Sequence, residues 1–143
     1  MESNISKIGW HFHNTYVRLP QMMLSRLDPV PVKKPKLIIF NKELSKELGL
    51  DFSFVSNETT ASLLSGNLLP EGSESIAQAY AGHQFGHFTI LGDGRVITIG
   101  EHIVPSNKRF DIQFKGSGQT PFSRGGDGRA ALGPMLREYI ISE

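Results

Sequence analysis

The sequence predicts an α+β fold, with an antiparallel sheet and a closing helix in the second half and a mostly helical region before them. Three observations lead there. Residues 110–115 alternate strictly: Phe110, Ile112 and Phe114 point one way and Asp111, Gln113 and Lys115 the other, the period of a half-buried strand. Two β-prone runs, 87–91 and 96–99, flank Gly92-Asp93-Gly94-Arg95. Asp-Gly between such runs signals a hairpin, because both turn positions need positive φ. Further on, Met135, Leu136, Tyr139 and Ile140 fall on one helical stripe, with Pro134 suited to the first turn.

The first half reads differently. Pro20, Pro29, Pro31 and Pro35 break any long helix, and Trp10, Phe12 and Tyr16 have no clean period, so residues 1–34 form an arm packed on the body. The apolar run 36–40 fits a short buried strand. Asn41 then caps a helix from Glu43 to Leu48 that Gly49 closes. A second helix is expected from Glu58 to Ser65, before Gly66, and a third from about Glu74 to Tyr80. We divide the chain into an extension of arm and helices, 1–80, and a sheet-bearing portion, 81–143. The expected core holds Ile38, Ile39, Phe40, Leu44, Leu48, Ile97, Ile99, Ile112 and Phe114. The last helix reaches Ser142-Glu143 with no residue to stop it, so the fold is expected to continue past it.

Composition narrows the function classes. The 143 residues carry 15 basic and 14 acidic side chains, a net charge of +1, which leaves no electrostatic footprint for nucleic acid or an anionic membrane. Cysteine is absent, which excludes disulfides, thiolate metal sites and a thiol nucleophile. No apolar run approaches the roughly 20 residues of a membrane helix. The first residues have no secretory h-region, so a cytoplasmic location is expected.

The chemistry-bearing residues lie in the second half. Lys115 ends the alternating strand and Glu138 follows 23 residues later on the helix. A glycine-bearing turn, a strand lysine and a helix glutamate, in that order, resemble the layout of a protein-kinase N-lobe, in which the lysine meets phosphates and the glutamate holds it. The layout alone also fits a surface lysine and a solvated glutamate. Between them, residues 116–128 are rich in glycine, whose amides can converge on an anion, and Arg124 and Arg129 could add phosphate contacts. This is not a Walker A loop, since no Gly-Lys-Ser/Thr stands at the required spacing. His83 and His87, like His11 and His13, lack the convergent partners of a zinc site, and His102 is only a conceivable third ligand, so we read these histidines as structural.

Longer motifs are more specific. Ala79-Tyr-Ala-Gly-His-Gln-Phe-Gly86, Leu91-Gly-Asp-Gly-Arg95, Asp111-Ile-Gln-Phe-Lys-Gly-Ser-Gly118, and the run from Thr120 to Pro134 with Leu136-Arg-Glu-Tyr139 resemble the SelO/YdiU family of protein adenylyltransferases. The resemblance covers most of the chain. It implies a protein-kinase-like fold, with residues 81–143 a portion of its N-lobe. It implies ATP as cofactor with Mg2+ or Mn2+, and transfer of AMP to Ser, Thr or Tyr hydroxyls of protein substrates. It assigns nucleotide contacts to Gly92, Gly94, Arg95, Lys115, Asp127 and Gly128, and the positioning of Lys115 to Glu138. The family's base and metal ligands lie further along the chain than Glu138. An isolated chain of these 143 residues is therefore expected to be inactive; the alternative reading is a non-catalytic nucleotide-binding or protein-interaction module. Its uncovered face is expected to favour oligomerisation.

Overall fold

The computed structural model describes residues 2–84 and 86–142. Four α-helices appear among them: α1 (Glu2–Ile5), α2 (Lys42–Glu47), α3 (Asn57–Leu64) and α4 (Leu132–Ser142). Five strands, β1 (Leu24–Arg26), β2 (Ile76–Gln84), β3 (His87–Gly92), β4 (Val96–Ile103) and β5 (Arg109–Lys115), form one antiparallel sheet. Its order is β1-β2-β4-β5, with β3 paired to the far half of β2.

The helices of the first half form where their caps are. The Asn41 side chain accepts from the Leu44 amide at 2.9 Å and starts α2, and Ser56 does the same for α3 through Thr59. The arm is extended between short 3-10 turns, and it joins the sheet. Residues 11–13 run beside β4, with His13 N–H donating to Glu101 O at 2.9 Å and Ile103 N–H to His11 O at 2.8 Å. One apolar core gathers Ile8, Leu50 and Leu63, with Trp10, Leu48, Phe52 and Val55 against them. Another set of buried side chains, Ile76, Ala77, Ile97 and Ile99, comes from the sheet itself. β5 keeps the expected alternation along its length.

Four sequence expectations give way. The segment 74–80 is not a helix, because Ile76 onward is strand β2, paired to β1, β3 and β4. Tertiary pairing overrides the helical preference of its alanines. The run 36–40 is not a strand. It finds no ladder partner, and Ile38 and Ile39 stand 55% and 46% exposed beside an open groove under the apolar face of β5. An apolar run alone does not separate a strand from extended coil. Leu44 is exposed as well, while Leu48, Phe40, Ile112 and Phe114 are half-buried, so of the expected core only Ile97 and Ile99 are fully enclosed.

The fourth correction bears on the site. Gly92-Asp93-Gly94-Arg95 does not reverse the chain. β3 and β4 are both antiparallel to β2 and so run in the same direction. The hairpin closes between Gln84 and His87, where Gly86 takes φ +80°, whereas neither Asp93 nor Gly94 has the positive φ that a tight hairpin turn demands. Residues 93–95 instead form a kink between β3 and β4, where the chain stays bonded to β2 through Asp93 and Gln78 and takes up pairing with β5 on its other side.

Candidate functional site

Strand β5 delivers Lys115 beside the kink, because Val96 pairs with Lys115 and the Gly116 amide donates to Arg95 O at 2.7 Å. Helix α4 brings Glu138 to the same place. The Lys115 ammonium donates to both carboxylate oxygens of Glu138, each at 2.8 Å. Both side chains are solvent-reachable, at 39% and 48% exposed. The hydrogen bond from Lys115 holds the Glu138 carboxyl below the usual carboxylate range, and the charges of Lys115, Arg95 and Arg137 add to it. Lys115 is bonded to that carboxylate, and Arg95 and Arg137 lie near enough for their charges to act on it.

The glycine-rich loop folds back along itself beside Lys115. Ser117 bridges Arg129, and Gly118 packs so closely on Gly128 that a Cβ at Gly128 would lie 1.9 Å from Gly118 O. Gly128 also takes φ +70°, so both space and backbone require glycine there. Asp127 accepts from the Arg129 amide at 2.9 Å, an Asx turn. The Arg129 guanidinium donates to Val30 O at 2.9 Å and to Pro31 O, which ties the loop to the arm. It is thus engaged with backbone and not set out for phosphate as the loop chemistry suggested. Arg124 stands exposed on the loop. The loop also meets the kink. The Phe122 ring covers Gly92, where a Cβ would lie 2.3 Å from it, and hydroxyls of Thr120 and Ser123 donate to Asp93 O and Gly94 O.

Seven residues singled out in the sequence thus fall around one place. Lys115, Glu138 and Arg95 form the charged centre, Gly92 and Gly94 bound the kink, and Asp127 and Gly128 lie on the folded-back loop. Asp93, inside the kink, is partly buried, which pushes its carboxyl up, and it locks the kink to β2 by accepting from the Gln78 amide at 2.9 Å. The sequence reading passed over Thr120, Phe122 and Ser123. A Thr-Pro-x-Ser tetrapeptide is a turn signal that could have marked them.

The donor set suits a phosphate chain. It offers an ammonium and a guanidinium at the surface, and close by, the buried Ser117 hydroxyl has no partner, at the edge of an open cleft of about 360 Å³ lined by Lys115, Gly116 and Arg129. The histidines stand apart. His102 is buried, with Nδ1 accepting from the His11 amide at 3.1 Å and Nε2 2.8 Å from Leu48 O, and it holds the arm to β4. No group of three or more His, Asp or Glu side chains fit to hold a metal ion occurs among the described residues. No helix among them is long and apolar enough to cross a membrane.

Comparison with known proteins agrees in one direction. A family model described as protein adenylyltransferase SelO matches residues 7–143. A protein nucleotidyltransferase YdiU of Pelagibacter ubique is 65% identical over 136 residues, covering 95% of this chain and 28% of that protein. The YdiU of Nitrosococcus oceani is 67% identical with the same coverage, and that of Brevibacillus brevis 62% identical over 135 residues. The chain thus spans little more than a quarter of the length of the curated relatives it matches.

Proposed function

The chain belongs to the SelO family of protein adenylyltransferases, and on that premise we propose that it forms the nucleotide-holding part of an enzyme that moves AMP from ATP to Ser, Thr or Tyr hydroxyls of proteins. The observation that carries the reading is the Lys115–Glu138 pair, two 2.8 Å contacts beside a glycine-bearing kink and a folded glycine-rich loop. A lysine tail is flexible, and a carboxylate that grips it from a helix fixes where its charge is offered. The arrangement supports the protein-kinase-like placement of residues 81–143, with 1–80 as the extension before it.

ATP supplies the activated α-phosphorus. Lys115 and Arg95 would hold its phosphates, and backbone at Gly92, Gly94 and Gly128 would add contacts from the side away from Phe122 and Gly118, which fill their Cβ faces. Asp127 is a carboxylate and suits a nucleotide hydroxyl or amine rather than a phosphate. Glu138 keeps the Lys115 ammonium in place while taking up only part of its charge. Transfer to a protein hydroxyl forms one P–O bond, breaks the bond to pyrophosphate, and needs a base for the hydroxyl proton. No group of side chains among the described residues is fit to hold Mg2+ or Mn2+, and the base and metal ligands would come from the rest of the full-length enzyme. Alone, the chain therefore binds ATP without turnover.

A chimera tests this. Residues 1–143 replace the matching segment of the Nitrosococcus oceani relative, and the product is incubated with ATP labelled at the α- or γ-phosphate. Label entering protein from the α-position only supports the reading. Label from the γ-position would make the protein a kinase and end it. A second reading, an interaction module that associates through its open face, draws on Ile140 and Ile141, 72% and 78% exposed on α4, and on the apolar groove under β5. A chain that sediments as a monomer at high concentration would remove it.

A further inference from the structure

The kink that carries Gly92, Gly94 and Arg95 lies between two strands, and three successive carbonyls in it are captured by one short stretch of the loop. Asp93 O accepts from the Thr120 hydroxyl at 2.5 Å, Gly94 O from the Ser123 hydroxyl at 2.5 Å, and Arg95 O from the Gly116 amide at 2.7 Å. Both hydroxyls are also acceptors. Thr120 Oγ1 takes the Phe122 amide at 3.1 Å and Ser123 Oγ takes the Thr120 amide at 2.9 Å, while the Ser123 amide returns to Thr120 O. Thr120 is buried, at 8% exposed. A short hydroxyl that can donate to a carbonyl and accept from an amide at once is what each position requires.

We infer that Thr120 and Ser123 are positioning residues that hold the 92–95 kink in its nucleotide-binding shape, a proposal resting on the reading of that kink as a nucleotide contact. The geometry explains how. With its three carbonyls drawn to the loop and its Gly92 face covered by Phe122, the kink has no freedom to swing away from β5. Arg95 is then kept beside Lys115 and Glu138. The same tetrapeptide leads into the Gly125–Gly128 stretch, so the two glycine segments move as one piece. Neither hydroxyl needs to touch the nucleotide.

The test uses the 143-residue chain, with Thr120→Val, which keeps the shape and removes the hydroxyl, Thr120→Ser, which restores it, and Ser123→Ala. Amide hydrogen exchange at residues 93–96 and ATP affinity by calorimetry are read together. Thr120→Val and Ser123→Ala are expected to speed exchange at 93–96 and weaken ATP about tenfold each, the size of one lost buried hydrogen bond, with β5 amides unchanged. Thr120→Ser is expected to stay near the parent in both. Unchanged exchange at 93–96 in Thr120→Val and Ser123→Ala overturns the proposal, as does ATP affinity equal to the parent's once exchange there has risen. A folded parent chain that binds no ATP instead sinks the nucleotide reading. Accelerated exchange confined to 93–96 would then still support the two hydroxyls as the device that holds the kink. Should Thr120→Val fail to fold, Ser123→Ala carries the same two readouts.

Discussion

Of the glutamates that meet a cation among the described residues, Glu101 and Glu138 do opposite work. Glu101, on β4, is 3% exposed and is gripped from several sides. The Thr15 hydroxyl donates at 2.6 Å, the Tyr16 amide at 2.8 Å, the Arg109 guanidinium at 2.9 Å, and the Thr15 amide completes the set. Burial pushes its carboxyl up, but these donors outweigh burial and hold it at about 2. Glu138 is half in solvent and has one cation bonded to it. The first arrangement saturates a carboxylate and clamps the arm to the sheet. The second leaves room for another anion to compete for the lysine. The two cations are about equally exposed, so the carboxylate makes the difference: one that is buried and saturated with donors is structural, and one that stays half open can serve a ligand.

The sharpest way to break this contrast is substitution at the buried carboxylate. Glu101→Ala takes the acceptor from the Thr15 and Tyr16 amides as well as from Arg109, and should lower stability by about 4 kcal/mol in urea unfolding, roughly 2 kcal/mol for each amide left unsatisfied. A loss under about 1 kcal/mol would mean that the arm is held by other contacts. Acid gives the next largest effect. The folded pKa of Glu101 lies below its ordinary 4.5, so its contribution is complete above that value and disappears as pH falls toward about 2. We expect about 3 kcal/mol to be lost across that window, and a flatter profile in Glu101→Gln. Gly128→Ala comes third, at about 2 kcal/mol, because a left-handed backbone and a 1.9 Å approach to Gly118 O act together. Smallest of all is Glu138→Gln, which should change stability by no more than about 0.5 kcal/mol, as for other solvent-screened pairs.

The sequence made parts of this contrast readable. Strand and helix placement left Lys115 and Glu138 open to a solvated reading, and the family resemblance paired them, whereas Asn41 as a cap and the alternation of 110–115 are local signals that need no partner. Non-local pairing was not readable. The strand at 76–84 exists because β1, β3 and β4 flank it, and the kink at 93–95 takes its shape from hydroxyls 25 or more residues away. The run 36–40 misled for the same reason, since its apolar side chains could be read but the absence of a ladder partner could not. Glu101 carried no signal at all, as its donors come from an arm with no periodicity.

The central claim is that Lys115 is held ready for a nucleotide without supporting the fold. Titration calorimetry of ATP into the chain and into Lys115→Ala, with and without magnesium, tests it most directly. The account predicts measurable binding by the parent chain, a loss of at least about tenfold in Lys115→Ala, and equal melting temperatures for the two. Equal ATP affinity in both proteins, or no binding by a parent chain shown to be folded, would contradict it.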